Sequence, residues 1–266
     1  MIALFDVGNT HTHIGLADGK KVRRQINVLT AGWKTGASQK IAAKFLRSAG
    51  SASAAACSVV PAVTPLVRRF VRQQFGSDCF VLTAKTARGV GIDYPSPSAI
   101  GPDRLANAIA VVRSHGAPAI VVDFGTAVTF DVVDRRGCYV GGVIAPGLNV
   151  MTDYLHEKTA LLPRIKIRDV QTAIGKNTEQ AMLIGAVHGY RGLVRELILQ
   201  LKQALGARRL PIVATGGYAE LIAAKLPEIT AVIPSLTLDG LRIAWAEYFA
   251  EKGGERPCQL TDGAIF

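Results

Sequence analysis

Cysteine is scarce in this sequence, and long apolar runs are missing. The 266 residues contain four cysteines, which have neither a CxxC spacing nor a nearby histidine pattern. We therefore expect neither a disulfide scaffold nor a zinc site. No apolar run reaches the roughly 18 residues needed to span a bilayer, and Asp6 stands where a secretion signal would still be apolar. With 49% hydrophobic and 19% charged residues, the sequence predicts a globular protein of the cytoplasm.

Glutamate is absent from residues 1–116, which contain 15 Lys and Arg against 5 Asp, a net charge of +10. Residues 117–266 contain 16 Lys and Arg against 15 acidic residues, a net charge of +1. A basic half indicates an anionic partner, such as phosphate, an acidic substrate or nucleic acid, although a solvated basic surface explains the same excess. No run of Lys and Arg exceeds two residues, so we expect no specific binding of nucleic acid.

Two common catalytic signatures are also missing. No GxxxxGK[ST] loop is present, which excludes a Walker-type nucleotide site, and no Ser/His/Asp or Cys/His nucleophile arrangement stands out.

His11 and His13 lie two residues apart on a predicted strand and so share a face. No third ligand accompanies them, which disfavours a metal-pair interpretation.

An internal repeat organises the chain. Each copy, at residues 2–12 and 119–129, predicts a buried strand, a tight polar turn and an antiparallel second strand. A period this long indicates one duplicated domain, so we predict domains at residues 1–116 and 117–266, with the two hairpins facing each other across a cleft. Polar positions coincide 117 residues apart: Asp6 with Asp123, Gly8 with Gly125, Asn9 with Thr126, and Thr12 with Thr129.

Strands alternate with helices along the rest of the chain, the order typical of an α/β protein. Apolar spacing at a period of about 3.6 residues predicts helices, whereas short apolar runs that end at turn residues predict strands. The predicted helices cover residues 41–49, 63–74, 104–114, 178–205, 218–225 and 238–251, and the predicted strands cover residues 58–61, 139–144 and 210–214.

The repeated turns have a composition that suits phosphate binding. Glycine lets the backbone approach a phosphate group closely, and the turn amides and hydroxyls can donate hydrogen bonds to its oxygens. A carboxylate would repel phosphate, so Asp6 and Asp123 are better placed to hold magnesium, its water shell or another cation. Asp-x-Gly is also common in ordinary β-turns, but two matching copies after matching strands favour the phosphate-binding interpretation.

Three short segments resemble the signature motifs of type III pantothenate kinases. These segments are Asp-Val-Gly-Asn-Thr at residues 6–10, Gly-Pro-Asp-Arg at residues 101–104 and Asp-Phe-Gly-Thr-Ala at residues 123–127. Further segments that resemble the family include residues 58–61, 141–147, 174–178 and 214–217. The family belongs to the acetate kinase/sugar kinase/Hsp70/actin superfamily. The resemblance implies an α/β fold of two duplicated ribonuclease-H-like domains.

The resemblance also implies an activity. A member of this family phosphorylates pantothenate with ATP to give 4′-phosphopantothenate, the first step of coenzyme A synthesis. It uses Mg²⁺ with ATP, requires a monovalent cation such as potassium or ammonium, and forms a homodimer.

Site residues carry over from the family position by position. The resemblance implies that Asp103 is the general base, that Asp6 holds magnesium through phosphates or water, and that Asp123 binds the monovalent cation. The residues implied to surround ATP are Asp6, Val7, Gly8, Asn9, Thr10, His11, Thr12, His13 and Thr126. Those implied to line the pantothenate site are Tyr94, Gly101, Pro102, Asp103, Arg104 and Thr178.

Several alternatives stay open at this point. Asp103 and Thr178 stand at predicted helix starts and are also suited to capping, and Tyr94 is also consistent with a simple turn aromatic. Pro102 departs from the family, which usually has a small or β-branched residue there, and residues 31–39 lack the expected arginine-threonine pattern. Other functions on this fold are a regulatory or accessory protein, whose basic half would face nucleic acid, a kinase for another hydroxylated substrate, or a polyphosphate hydrolase.

Overall fold

The computed structural model describes residues 1–47 and 53–251 of the chain. Two compact units divide it. The first comprises Met1–Ala117, Val133–Gly141 and the segment from Ser235 onward, and the second comprises Pro118–Val132 and Gly142–Pro234. The sequence predicted one break near residue 116, whereas in the structure the chain returns to the first unit twice. Among the described residues, no helix has both the length and the apolar character needed to cross a membrane.

The first unit is built on a five-stranded sheet with the order β3-β2-β1-β4-β5. Strand β2 pairs antiparallel with both β1 and β3, and β4 and β5 continue the sheet in parallel from β1. The strands are β1 (Ile2–Val7), β2 (His11–Ala17), β3 (Val22–Leu29), β4 (Ser53–Ser58) and β5 (Cys79–Val81), and the helices are α1 (Gly32–Thr35), α2 (Ala37–Leu46), α3 (Thr64–Phe75) and α4 (Pro102–His115).

The second sheet repeats this order. It runs β6-β9-β8-β7-β10-β11. Counted from residue 118 onward, β9, β8, β7, β10 and β11 are the third, second, first, fourth and fifth strands, which is the order of the first sheet. Its members are β6 (Gly91–Ile92), β7 (Ala119–Phe124), β8 (Ala127–Val133), β9 (Cys138–Pro146), β10 (Ile212–Gly216) and β11 (Ala231–Val232). The accompanying helices are α5 (Leu148–Lys158), α6 (Thr178–Ile184), α7 (Tyr190–Ala204) and α8 (Ala219–Ala223), and α9 (Leu236–Ala250) follows. The predicted duplication is confirmed.

The two copies of the repeat agree along their first strands and differ at the turn. In both β1 and β7 the first four residues are buried, the aspartate is half-buried and the last residue is buried again. The first turn has three residues between its strands and the second has two. Because the second turn is shorter, the second residue of β2, Thr12, corresponds to Val128 of β8 and not to Thr129. The predicted match of Thr12 with Thr129 is therefore wrong.

Most predicted helices are present, and one predicted strand is displaced. Helices α3, α4, α6 with α7, α8 and α9 match the predicted ranges, with a π-helical turn at Gly185–Gly189 between α6 and α7. Helix α2 ends at Leu46, and the end of the range predicted for it lies outside the described residues. The strand predicted at residues 58–61 is β4, which ends at Ser58. Alanine has low strand propensity, so a central strand rich in buried alanine escaped the apolar-run criterion.

Helix α9 packs on α4 within the first unit. A Cβ atom added at Gly240 would lie 1.8 Å from the carbonyl oxygen of Ala106, so the two helix backbones are nearly in contact. Close by, Thr237 Oγ1 donates to Asn107 Oδ1 at 2.8 Å, and both side chains are buried. The final helix therefore completes the core of the first unit.

We expect Gly240→Ala to destabilise the protein by about 3 kcal/mol, because the added methyl group must separate α4 from α9. Urea unfolding of the variant and the wild type measures the difference. Gly192→Ala is the control, since nothing lies within 4 Å of a Cβ added at Gly192 and alanine favours a helix there. Equal stability of Gly240→Ala and wild type would contradict the close packing.

Candidate active site

The end of β1 places Asp6 beside two other groups of the first unit. Asp6 lies in register with Cys57 of β4, and Cys57 Sγ donates to Asp6 Oδ1 at 3.5 Å. The pKa of Asp6 is raised to about 7, mainly by burial and next by the negative charge of Asp103, while the Cys57 hydrogen bond opposes the rise. Burial likewise raises the pKa of Asp103. The two neighbouring carboxylates therefore hold protons more readily than solvated carboxylates do.

We expect Asp6→Asn to stabilise the ligand-free protein above neutral pH. The unfolded chain ionises Asp6 near pH 4, whereas the folded chain keeps the proton up to about pH 7. The wild type therefore loses stability through Asp6 as the pH rises from 4 to 7, and the asparagine variant lacks this contribution. The expected gain in the free energy of unfolding above pH 7 is about 2 kcal/mol. This is smaller than the gain that corresponds to the whole pKa shift of Asp6, because solvent screens a half-buried charge.

Urea unfolding in EDTA at several pH values from 5 to 8 measures this gain. Asp78→Asn is the control, since Asp78 is exposed and paired with Arg72, which lowers its pKa. A gain for Asp6→Asn that stays constant across this pH range would show that the ionised carboxylate is not its source.

The start of α4 holds the Asp103 carboxylate in place. Gly101 is the N-cap residue and Pro102 the first helical residue, a position that suits proline because its missing N–H would have no helical partner. Asp103 Oδ1 accepts from the backbone N–H of Arg104 at 2.8 Å. A Cβ added at Gly101 would lie 2.5 Å from Asp103 Oδ1. The glycine therefore leaves the space that the carboxylate occupies, and the carboxylate also satisfies one free amide of the helix start.

Arg104 and Tyr94, which the sequence predicted together, both contact Tyr139. The Arg104 guanidinium lies 5.6 Å from the centre of the Tyr139 ring, and the rings of Tyr94 and Tyr139 meet edge to face at 6.0 Å. Gly141 has a φ of +130°, and a Cβ atom added there would lie 3.6 Å from Cε2 of Tyr94. The β9 backbone therefore passes close to the Tyr94 ring. Tyr139 is fully buried, so Tyr94 and Arg104 pack against the same buried ring.

The turn after β1 exposes three of the residues predicted to surround ATP. Asn9, Thr10 and His11 are exposed, and Gly8 is half-buried. The backbone N–H of Gly8 donates to the carbonyl of His11 at 3.0 Å, which closes the turn. These residues present polar groups at the same end of β1 as Asp6.

Two residues of the predicted ATP-binding group lie in the core instead. Val7 is 1% exposed and Thr12 is fully buried, and the Thr12 hydroxyl accepts from Trp33 Nε1 at 3.0 Å. Because successive strand residues alternate between the faces of a sheet, the strand that exposes His11 must bury Thr12. The side chains of Val7 and Thr12 therefore do not reach the exposed turn, and the prediction that these two residues take part in binding ATP stays a prediction. His13 is half-buried, and its Nδ1 lies 2.7 Å from Asn27 Oδ1.

In the second unit, two glycines pack against the repeated turn. Asp123 lies in register with Thr215 of β10, and a Cβ added at Gly216, where φ is +90°, would lie 2.6 Å from Asp123 Oδ1. The N–H of Gly147 donates to the carbonyl of Thr126 at 3.1 Å, and a Cβ there would lie 2.2 Å from that oxygen. Only glycine at these two positions leaves space for the Asp123 carboxylate and the Thr126 turn.

Thr178 is exposed at the start of α6 in the second unit. The side chain that caps this helix is Asn177, whose Oδ1 accepts from the N–H of Gln180 at 2.9 Å. The capping alternative for Thr178 is therefore wrong, because its neighbour already fills that role.

Comparison with known proteins decides the family. The family description "Type III pantothenate kinase" matches residues 2–200. A type III pantothenate kinase of Akkermansia muciniphila is 50% identical over 192 residues, which cover 72% of this chain and 77% of the relative. One of Methylacidiphilum infernorum is 40% identical over 241 residues, which cover 90% of this chain and 86% of the relative. This chain belongs to the type III pantothenate kinase family.

A solved structure supports the fold of this family member. A Campylobacter jejuni protein described as a Baf family transcriptional activator superposes with a TM-score of 0.56 and 15% identity, covering 94% of this chain and 100% of that protein. At this identity the similarity shows the fold alone. The α/β fold of duplicated ribonuclease-H-like units is thus supported by sheet order and by comparison.

Sequence reasoning missed three residues at the site of this type III pantothenate kinase family member. Cys57 precedes a family-like segment but lies in β4, which the sequence predicts several residues too late, and the sequence identifies Tyr139 only as a strand residue. Thr30 follows β3, which was not predicted at all. The available signal for Thr30 is its place shortly after a brief alternation of polar and apolar residues at 25–28, which is the pattern of a half-buried strand.

Proposed function

We propose that this chain transfers the γ-phosphoryl group of ATP to the primary hydroxyl of pantothenate and releases 4′-phosphopantothenate. The observation that carries the proposal is the pair of neighbouring carboxylates, Asp6 and Asp103, with Arg104 next to Asp103, in a member of the type III pantothenate kinase family. Phosphoryl transfer needs a group that orients the attacking hydroxyl and charge that matches the transferred group. Formation of 4′-phosphopantothenate is the first step of coenzyme A synthesis. We therefore propose that the chain acts in this pathway, and we assign it to the cytoplasm.

We assign Asp103 as the general base for the substrate hydroxyl. Burial raises its pKa, and a base whose pKa lies nearer to neutral accepts a proton more readily during the reaction. Arg104 would bind the pantothenate carboxylate, because a planar guanidinium can donate two parallel hydrogen bonds to it. Gly101 and Pro102 shape the turn that presents Asp103. Tyr94 and Thr178 are also assigned to pantothenate, as the resemblance to the family implies.

We assign Gly8, Asn9, Thr10, His11 and His13 to the ATP phosphates. Gly8, Asn9 and Thr10 form the turn after β1, His11 is the first residue of β2, and His13 lies directly opposite Asp6 on β2. Thr126 is assigned to ATP because the resemblance to the family implies it.

Asp6 suits magnesium that is bound mainly by the nucleotide. Within residues 1–47 and 53–251, no three His, Cys, Asp or Glu side chains are grouped to hold a metal ion. Mg²⁺ is usually held by one or two carboxylates together with substrate phosphates and water, so the half-buried carboxylate of Asp6 beside the turn fits it. When bound, Mg²⁺ neutralises charge on the transferred phosphate. Asp123 is assigned to a monovalent cation, potassium or ammonium.

A coupled assay for ADP release, with and without pantothenate and in potassium or sodium buffer, tests the proposal. We expect release to require pantothenate and to be faster in potassium. Release that is indifferent to pantothenate would contradict the proposed substrate. It would instead favour another acceptor or a polyphosphate hydrolase on the same fold.

We expect Gly101→Ala to lower kcat at least tenfold while the protein stays folded. The φ and ψ of Gly101, −56° and 130°, suit alanine, so the backbone need not change. The new Cβ instead displaces the Asp103 carboxylate, and a misplacement of about 1 Å at a reacting group costs up to roughly a hundredfold. Gly19→Ala is the matched control in the same unit, since its Cβ would meet no atom within 4 Å. Equal kcat values for the two variants would contradict the role of Gly101.

We also propose that two copies of this chain associate through α5. Four apolar side chains of this helix are 37–58% exposed, and Ile144 just before it is 63% exposed. The four are Val150, Met151, Tyr154 and Leu155. Apolar patches of this kind mark association surfaces. Light scattering after gel filtration should give a dimer for the wild type and a monomer for Tyr154→Arg, whereas a dimeric variant would contradict this surface.

Specific nucleic-acid binding remains the competing interpretation of the basic half. Binding through phosphate contacts weakens steeply with salt. We expect weak DNA binding, without sequence preference, that is lost near physiological salt. Tight, sequence-selective binding at that salt would favour a regulatory protein instead.

A further inference from the structure

We propose that Thr30 positions the turn of residues 8–10 for the nucleotide phosphates. Thr30 lies just after β3, far along the chain from the turn, and it is 2% exposed. Its hydroxyl donates to the carbonyl of Gly8 at 2.7 Å, and its backbone N–H donates to the carbonyl of Thr10 at 2.9 Å. One residue thus holds both ends of the turn.

The hydroxyl of Thr30 is itself held by a buried chain of hydrogen bonds. Its oxygen lies 3.0 Å from Thr12 Oγ1, and Trp33 Nε1 donates to Thr12 Oγ1 at 3.0 Å. The Thr30 hydroxyl donates its single proton to the carbonyl oxygen of Gly8, which can only accept. In the contact between the two hydroxyls, Thr12 must therefore donate to Thr30. The order of donation therefore runs from Trp33 to Thr12, to Thr30 and to the turn.

This chain begins in the rigid core of the first unit. Trp33 is 1% exposed, and its ring meets Phe5 and Phe70 edge to face at 6.3 and 5.5 Å. A turn whose carbonyls are fixed from the core keeps its remaining polar groups aimed at solvent. Preorganised donors bind phosphate more tightly because no ordering is needed when the ligand arrives. Thr30 touches no substrate in this scheme and is a positioning residue.

The inference rests on the proposed binding of ATP phosphates at this turn, and its test measures nucleotide binding without catalysis. Calorimetry with Mg-ADP gives the Kd of the wild type and of Thr30→Val, Thr30→Ser and Thr237→Val. Valine keeps the shape of threonine but removes the hydroxyl, whereas serine keeps the hydroxyl. Thr237 is the matched control, because it is also a buried threonine of the first unit with one side-chain hydrogen bond, to Asn107.

We expect Thr30→Val to raise the Kd for Mg-ADP about fivefold to tenfold, the range for a lost buried hydrogen bond. Thr30→Ser should restore the wild-type Kd. Thr237→Val should lower the unfolding temperature but leave the Kd unchanged. Should Thr30→Val fail to fold, Thr12→Val tests the preceding link of the chain, and we expect a higher Kd there too.

An unchanged Kd in folded Thr30→Val, or an equal loss in Thr237→Val, would overturn the role of Thr30. A Thr30→Ser variant as weak as Thr30→Val would also overturn it, because the hydroxyl would then not be the cause. These outcomes are distinct from failure of the proposed function, which appears as wild-type protein that does not phosphorylate pantothenate.

Discussion

Asp103→Asn is expected to lower kcat by at least about a hundredfold without unfolding the protein. The amide has the size of the carboxylate and can still accept the hydrogen bond from the N–H of Arg104 that the structure places at 2.8 Å. It cannot accept a proton from the substrate hydroxyl, and loss of a positioned base costs roughly a hundredfold to ten-thousandfold. Pantothenate binding should weaken much less, since Arg104 is the proposed contact for the substrate carboxylate.

Initial rates against pantothenate separate kcat from KM, and a thermal melt reports the fold. Asp78→Asn is the control, because Asp78 is an exposed aspartate of the same unit that is paired with Arg72. Near-wild-type kcat in folded Asp103→Asn protein would remove Asp103 from the reaction.

Asp6→Asn and Asp123→Asn are expected to fail in different ways, although the repeat makes the two residues equivalent. Each is the half-buried fifth residue of its strand. Asp6 has the half-buried Asp103 nearby, with Cys57 as a hydrogen-bond donor, whereas Asp123 lies beside Thr215 and Gly216. We therefore expect Asp6→Asn to abolish activity at any potassium concentration, because the proposed contact with Mg-ATP is lost.

Asp123→Asn should instead leave a residual rate whose potassium dependence is flat or displaced to much higher concentration. Potassium offsets negative charge without the strict octahedral geometry of magnesium, so losing its ligand should weaken the enzyme without removing Mg-ATP. Initial rates against potassium at saturating Mg-ATP test both variants. A wild type that ignores potassium, or a normal potassium curve for Asp123→Asn, would contradict the assignment and favour a second magnesium-side carboxylate.

The loss of activity in Asp6→Asn should accompany the stability gain expected above pH 7. An ionised carboxylate that lies next to another one lowers the free energy of unfolding. Proteins retain such a destabilising group where its charge is needed for function. Opposite changes in activity and stability would distinguish a functional carboxylate from a structural one.

The sequence was sufficient for the features that depend on local pattern. The duplicated strand and turn, the alternation of helices with strands, the helix start at Pro102 and the family motifs are all contained in short segments. The equivalence of Asp6 and Asp123 follows from the repeat alone, and the strand burial pattern confirms it.

Tertiary structure decided the features that depend on distant residues. Thr12 belongs to the repeated segment of residues 2–12, yet its side chain is turned into the core because strand residues alternate, and only the location of Trp33 shows what it contacts. Thr30 and Tyr139 lie far along the chain from the residues they contact, which are Gly8 for Thr30 and Tyr94 and Arg104 for Tyr139. Helix α9 returns to the first unit because Gly240 allows contact with α4. Local pattern determines which residues carry the chemistry, whereas long-range packing determines which residues hold them in place, because those contacts form only when the chain folds back on itself.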